Sequence, residues 1–114
     1  MPDKQIRNSD IFFRLFDLLS DRKKTLPDNS YTTTLFRAGK EKISEKIVEE
    51  CSELVEAYQE NSAKNQIVHE TADLFYHLFV LLVDSGTTLH EIESELERRF
   101  GVSGLDEKAS RKKT

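Results

Sequence analysis

The stretch KEKISEKIVEECSELVEAYQENSAKNQIVHETADLFYHLFVLLVD, residues 40–84, decides how this chain folds. In its first half Ile43, Ile47, Cys51, Leu54 and Tyr58 recur at i, i+4, i+8, i+11 and i+15, with Val48 and Val55 beside them. That is the period of an amphipathic helix from Lys40 to Glu60, and it turns Cys51 inward as a small core residue. Asn61-Ser62 interrupts the pattern. A second helix from about Lys64 to Asp84 is amphipathic through Ile67, Val68, Thr71, Ala72 and Phe75, then apolar on nearly all sides from Leu78 to Val83. A helix that is apolar all round must be covered all round, and so short a chain has few helices to do it. A second subunit is the expected cover.

Outward from this hairpin the pattern stays helical. Asn8-Ser9-Asp10 offers capping oxygens before Ile11, Phe12, Leu15, Phe16, Leu18 and Leu19, the apolar face of a first helix. Leu26-Pro27-Asp28-Asn29 reads as a turn, and Ser30 can cap a short helix over Tyr31 to Ala38, a segment equally readable as a loop, before Gly39. Beyond Gly86, Thr88-Leu89-His90-Glu91 has the form of a capping box opening a third long helix through Leu89, Ile92, Leu96 and Phe100, closed at Gly101. No strand-like alternation appears. The expectation is an all-α bundle of four to five helices over residues 1–101, completed by homodimerisation. A basic tail, 102–114, belongs to the same domain or to the dimer partner's site.

Composition narrows the functions available. With 114 residues, 37% hydrophobic and 33% charged, the chain suits one small domain, and its apolar runs are too short to span a membrane. A signal peptide's apolar region is missing from the N-terminus, so a cytoplasmic location is expected. Residues 1–97 hold 11 Lys/Arg against 19 Asp/Glu, and residues 98–114 hold 6 against 2. An acidic body with a short basic end argues against nucleic acid as partner and leaves a metal or a phosphorylated small molecule. One cysteine permits neither an internal disulfide nor a zinc cluster.

The acids of the hairpin are either a solvated face or a site. Glu45, Glu49, Glu56 and Glu60 lie opposite the apolar centre of the first helix, whereas Glu50 sits about 85° from it, at the border of the core. Glu53 projects from the next turn onto the same flank. Glu70 and Asp73 repeat the i, i+3 spacing on the second helix and fall, with His77, along a strip beside Leu74 and Leu81. Like charges on half-desolvated flanks repel, and a divalent cation removes that cost. An all-oxygen donor set suits Mg²⁺, which keeps places for water and phosphate oxygens. A di-iron bundle needs Glu-x-x-His twice, but Gln66, Leu74 and Thr87 precede His69, His77 and His90 by three residues. His77 reads as a hydrogen-bonded structural residue.

Glu49-Glu50-x-x-Glu53, a gap of 16 residues, then Glu70-x-x-Asp73 resembles the signature of the all-α nucleoside triphosphate pyrophosphatase superfamily, the MazG-like group. Within it the chain is similar to the phosphoribosyl-ATP pyrophosphatase family over about residues 9 to 112. Ser30-Tyr31-Thr32, Lys42-Ile43, Lys46-Ile47, Tyr76-His77-Leu78 and the tail from Ser103 to Arg111 extend the likeness. Val48 and Cys51 depart from it, standing where Gly and Ala are usual.

The resemblance implies a homodimer that hydrolyses phosphoribosyl-ATP to phosphoribosyl-AMP and pyrophosphate, the second step of histidine biosynthesis, by attack of Mg²⁺-activated water on the α–β phosphoanhydride. It assigns Glu50, Glu53, Glu70 and Asp73 to the metal, with Glu49 binding metal or orienting water. Lys42, Lys46, Lys108, Arg111, Tyr31 and Thr32 are assigned to the substrate. Any coupling to phosphoribosyl-AMP cyclohydrolase, the next step, would involve a separate protein. The carboxylates alone fit equally a sister enzyme acting on non-standard nucleoside triphosphates, and a non-enzymatic helical dimer remains the contrasting class.

Overall fold

Five helices follow one another among the described residues: α1 Pro2–Thr25, α2 Tyr31–Ala38, α3 Lys40–Gln59, α4 Lys64–Ser85 and α5 Leu89–Leu96, the last continued by a widened turn over Glu97–Gly101. The computed structural model describes residues 2–101, with side chains from residue 11 onward, and no strand occurs among the described residues. The all-α bundle expected from periodicity is therefore the fold.

Local chemistry sets the breaks. Ser30 Oγ accepts the Thr33 amide at 3.3 Å and starts α2, which resolves the helix-or-loop ambiguity in favour of a helix. Gly39 joins α2 to α3 at φ 91°, ψ −167°, a conformation only glycine adopts readily. Asn61, at φ 56°, takes the left-handed turn that ends the α3 pattern, and Thr88 with Glu91 forms the capping box of α5.

The core draws Phe16 and Leu19 from α1, Leu35 and Phe36 from α2, Ile43 from α3, and Phe79 and Val80 from α4. Phe16 meets Phe79 edge to face at 5.8 Å. Lys23 closes one end by pairing with Asp84 at 2.7 Å while its ammonium lies over the Phe36 ring. Leu19, 1% exposed, is the central plug. Leu19→Ala is expected to cost about 2–5 kcal/mol, transfer plus cavity, read as a lowered midpoint in urea unfolding.

Three expectations change. Helix α1 begins at Pro2, ahead of the Asn8-Ser9-Asp10 segment read as its cap. The third long helix stays α-helical only to Leu96; from Glu97 the turns widen, where Arg98 and Arg99 both close on Glu95. Cys51 is exposed, not a core residue. The buried line of α3 is Ile43, Glu50 and Ala57, with Val48, Val55 and Tyr58 left outside. The apolar arc of α3 is broader than its own fold uses, so a centre taken over the whole arc points away from the true core-facing line.

Candidate metal centre

The antiparallel packing of α3 against α4 brings the two acidic strips together. Ligand oxygens of Glu49, Glu50 and Glu53 lie within 4.8 Å of one another, as do oxygens of Glu70 and Asp73 with a ring nitrogen of His69. Glu53 and Glu70 line one cleft of 460 Å³ with Glu56, Glu60 and Gln66. Glu50 and Glu70 are buried, Asp73 half-buried, and Glu49 and Glu53 exposed.

Glu50 is the electrostatic centre. Its residue is only 6% exposed. Burial comes first in pushing its carboxyl up to about 6. A proton shared with Glu53, the Glu53 charge and the Asp73 charge push the same way, and Lys46 opposes them. One oxygen, Oε1, is 4.0 Å from Lys46 Nζ. The other, Oε2, is buried without a hydrogen-bond partner. A buried acceptor left unmade costs about 1–3 kcal/mol, and more when charged. A cation at this oxygen would supply the missing partner and cancel the repulsion among the acids, so the residues present fit a hard divalent metal.

The neighbouring side chains are held by specific bonds. Gln66 Nε2 donates to Glu70 Oε2 at 2.6 Å, fixing that carboxylate. Lys46 donates to Glu49 at 3.0 Å, and this bond is the main cause holding its ammonium above the ordinary lysine value. His77 Nδ1 lies 2.8 Å from the Asp73 carbonyl. A carbonyl only accepts, so Nδ1 carries the proton, and in the neutral ring Nε2 accepts from the Tyr31 hydroxyl at 3.2 Å. His77 thus ties Tyr31 on α2 to the backbone of Asp73 on α4, the hydrogen-bonded structural role expected of it.

Tyr31 is half exposed beside the cluster; burial raises its pKa, the Lys46 charge lowers it, and the Tyr76, Glu50 and Glu49 charges raise it. Thr32 is buried, with its hydroxyl paired to that of Tyr76, whose ring stacks on Tyr31. Lys42 sits one turn before Lys46, exposed, 3.9 Å from Glu45. The fold thus gathers Glu49, Glu50, Glu53, Glu70, Asp73, Lys46 and Tyr31. Lys108, Arg111 and the rest of the tail lie outside the described residues. Sequence reasoning passed over Gln66 as a Glu70 partner and His69 as an Asp73 partner; their i, i+4 spacing was the available signal.

Residues 13–100 match the family model described as phosphoribosyl-ATP pyrophosphohydrolase. A phosphoribosyl-ATP pyrophosphatase of Dechloromonas aromatica is 44% identical over 102 residues, covering 90% of this chain and 94% of that protein. One from Methylococcus capsulatus is 45% identical over 103 residues, 90% of this chain and 97% of its own length. One from Paramagnetospirillum magneticum is 44% identical over 107 residues, 94% and 97% respectively.

Proposed function

The chain belongs to the phosphoribosyl-ATP pyrophosphohydrolase family, and from that premise we propose that it hydrolyses phosphoribosyl-ATP to phosphoribosyl-AMP and pyrophosphate, a step of histidine biosynthesis. The observation that carries the reading is Glu50 Oε2, a buried carboxylate oxygen without a partner, on a hairpin that also carries Glu49, Glu53, Glu70 and Asp73.

Glu50, Glu53, Glu70 and Asp73 hold Mg²⁺, and Glu49 joins them or orients the attacking water. Held there, the ion would supply Lewis-acid chemistry, polarising the phosphoanhydride, lowering the pKa of water and offsetting the charge of the polyphosphate. Gln66 keeps Glu70 in place, and His77, through the Asp73 carbonyl and the Tyr31 hydroxyl, sets the distance between the metal strip and the start of α2. Lys46 and Lys42 supply positive charge on the α3 flank for substrate phosphates and Tyr31 borders the nucleotide; Thr32, buried against Tyr76, supports Tyr31 and does not itself line the site, and Lys108 and Arg111 are assigned to the substrate by the family resemblance alone. The catalytic domain is assigned to residues 1–101, and the basic tail 102–114 to the same domain or to the dimer partner's site. The acting form is a homodimer.

No described helix is long and apolar enough to cross a membrane, in keeping with an enzyme of a dissolved nucleotide. The test is pyrophosphate release from phosphoribosyl-ATP beside a panel of ordinary and non-standard nucleoside triphosphates. Release from phosphoribosyl-ATP in strong preference to the panel is expected; release from the triphosphates alone would move the chain to the sister activity.

A further inference from the structure

The acidic strip of α4 carries a nitrogen donor as well as oxygens. His69 precedes Glu70 and stands one turn before Asp73, and its Nε2 lies 3.4 Å from Asp73 Oδ2. A ring nitrogen and the Glu70 and Asp73 oxygens fall within 4.8 Å of one another, close enough for one ion to touch all three after small side-chain rotations. The His69 ring is mostly exposed, so it can swing onto an ion without losing core packing. Independently, Glu50 Oε2 is buried without a hydrogen-bond partner on the facing helix, and Asp73 is near enough for its charge to act on Glu50, so the two groups of ligand atoms belong to one region of the hairpin.

We propose that His69 is a direct ligand of the divalent metal held by Glu70 and Asp73, giving the site a mixed nitrogen and oxygen donor set that takes Mn²⁺, Co²⁺ or Zn²⁺ in addition to Mg²⁺. The inference rests on the metal reading above and deepens it. Imidazole is a good donor to borderline transition ions, whereas Mg²⁺ prefers oxygen and keeps its waters. Ligation through Nε2 needs the tautomer with the proton on Nδ1, and removing His69 should therefore weaken transition ions selectively. A histidine that only donated a hydrogen bond to Asp73 from outside the ligand set would instead steady the carboxylate for every ion alike.

The full-length protein with Mn²⁺ as probe decides between them. Pulsed electron paramagnetic resonance should show a directly bonded nitrogen on the bound Mn²⁺, absent in His69→Gln. Equilibrium titration should show His69→Gln weakening Mn²⁺ about tenfold or more, with Mg²⁺ changed by less than about twofold. Mn²⁺ bound without a nitrogen coupling, or an equal loss for both ions, overturns the assignment of His69 and leaves the carboxylate site standing. Glu70→Gln tells the two levels apart: it should abolish Mn²⁺ binding, and wild-type protein that binds no Mn²⁺ would overturn the metal reading together with the role of His69.

Discussion

Glu50→Gln is expected to make the metal-free protein more stable at pH 7.5 while lowering pyrophosphate release about a hundred- to a thousandfold. The two effects have one cause. Glu50 titrates near 6 when folded, above the ordinary glutamate value of 4.5, because burial and the Glu53 and Asp73 charges disfavour its anion. Between those two pH values the folded state binds more protons than the unfolded one, so stability falls as pH rises from 4.5 to 6. The penalty is fully present above that window and absent below it. A difference of 1.5 pH units corresponds to about 2 kcal/mol.

Glutamine keeps the shape of the side chain and removes the buried charge. In chelator, its gain over wild type in urea unfolding should be near 2 kcal/mol at pH 7.5 and vanish towards pH 4.5. Mg²⁺ should reverse the order by stabilising wild type through binding that the variant has largely lost. A variant less stable than wild type in chelator at pH 7.5 would contradict the role given to the Glu50 charge.

Val55→Asp is expected to separate the subunits. Val48, Val55 and Tyr58 are 65%, 52% and 75% exposed on α3, with Cys51 between them, and Val68 and Phe75 repeat the pattern on α4. So much apolar side chain facing water on a small fold supports the proposed homodimer, with this face as the one a second copy covers. In a two-fold dimer each substitution occurs twice, and burying an unpaired carboxylate costs several kcal/mol. A cost of about 3 kcal/mol weakens association roughly a hundredfold. Sedimentation equilibrium should find wild type at twice the chain mass and Val55→Asp at the chain mass. A monomeric wild type, or a variant that dimerises as well as wild type, would refute the dimer.

The hairpin was legible in the sequence because α3 and α4 hold the helical period over some twenty residues each, long enough for the pattern to outweigh local ambiguity. The carboxylate strips were legible for the same reason, since their spacing fixes their flank. The depth of Glu50 was not. The apolar arc of α3 mixes the line facing its own core, Ile43 to Ala57, with the line through Val48, Cys51, Val55 and Tyr58 that faces outward, and no single-chain pattern separates the two. This also displaced Cys51. Val48 and Cys51 both fall on the outward line, away from the buried line that carries Glu50. The bonds of Gln66 and His77 depend on side-chain rotamers and on α2 meeting α4, contacts distant in sequence that periodicity does not encode.

The most direct test of the account is the rate of pyrophosphate release from phosphoribosyl-ATP by wild-type protein as Mg²⁺ is titrated from chelated to millimolar. A rate that starts at background, rises and saturates with Mg²⁺, and stays about a hundredfold or more lower throughout in Glu50→Gln, is the predicted result. Release that is equally fast in chelator, or unchanged in Glu50→Gln, would show that the carboxylate cluster is not the centre of the chemistry.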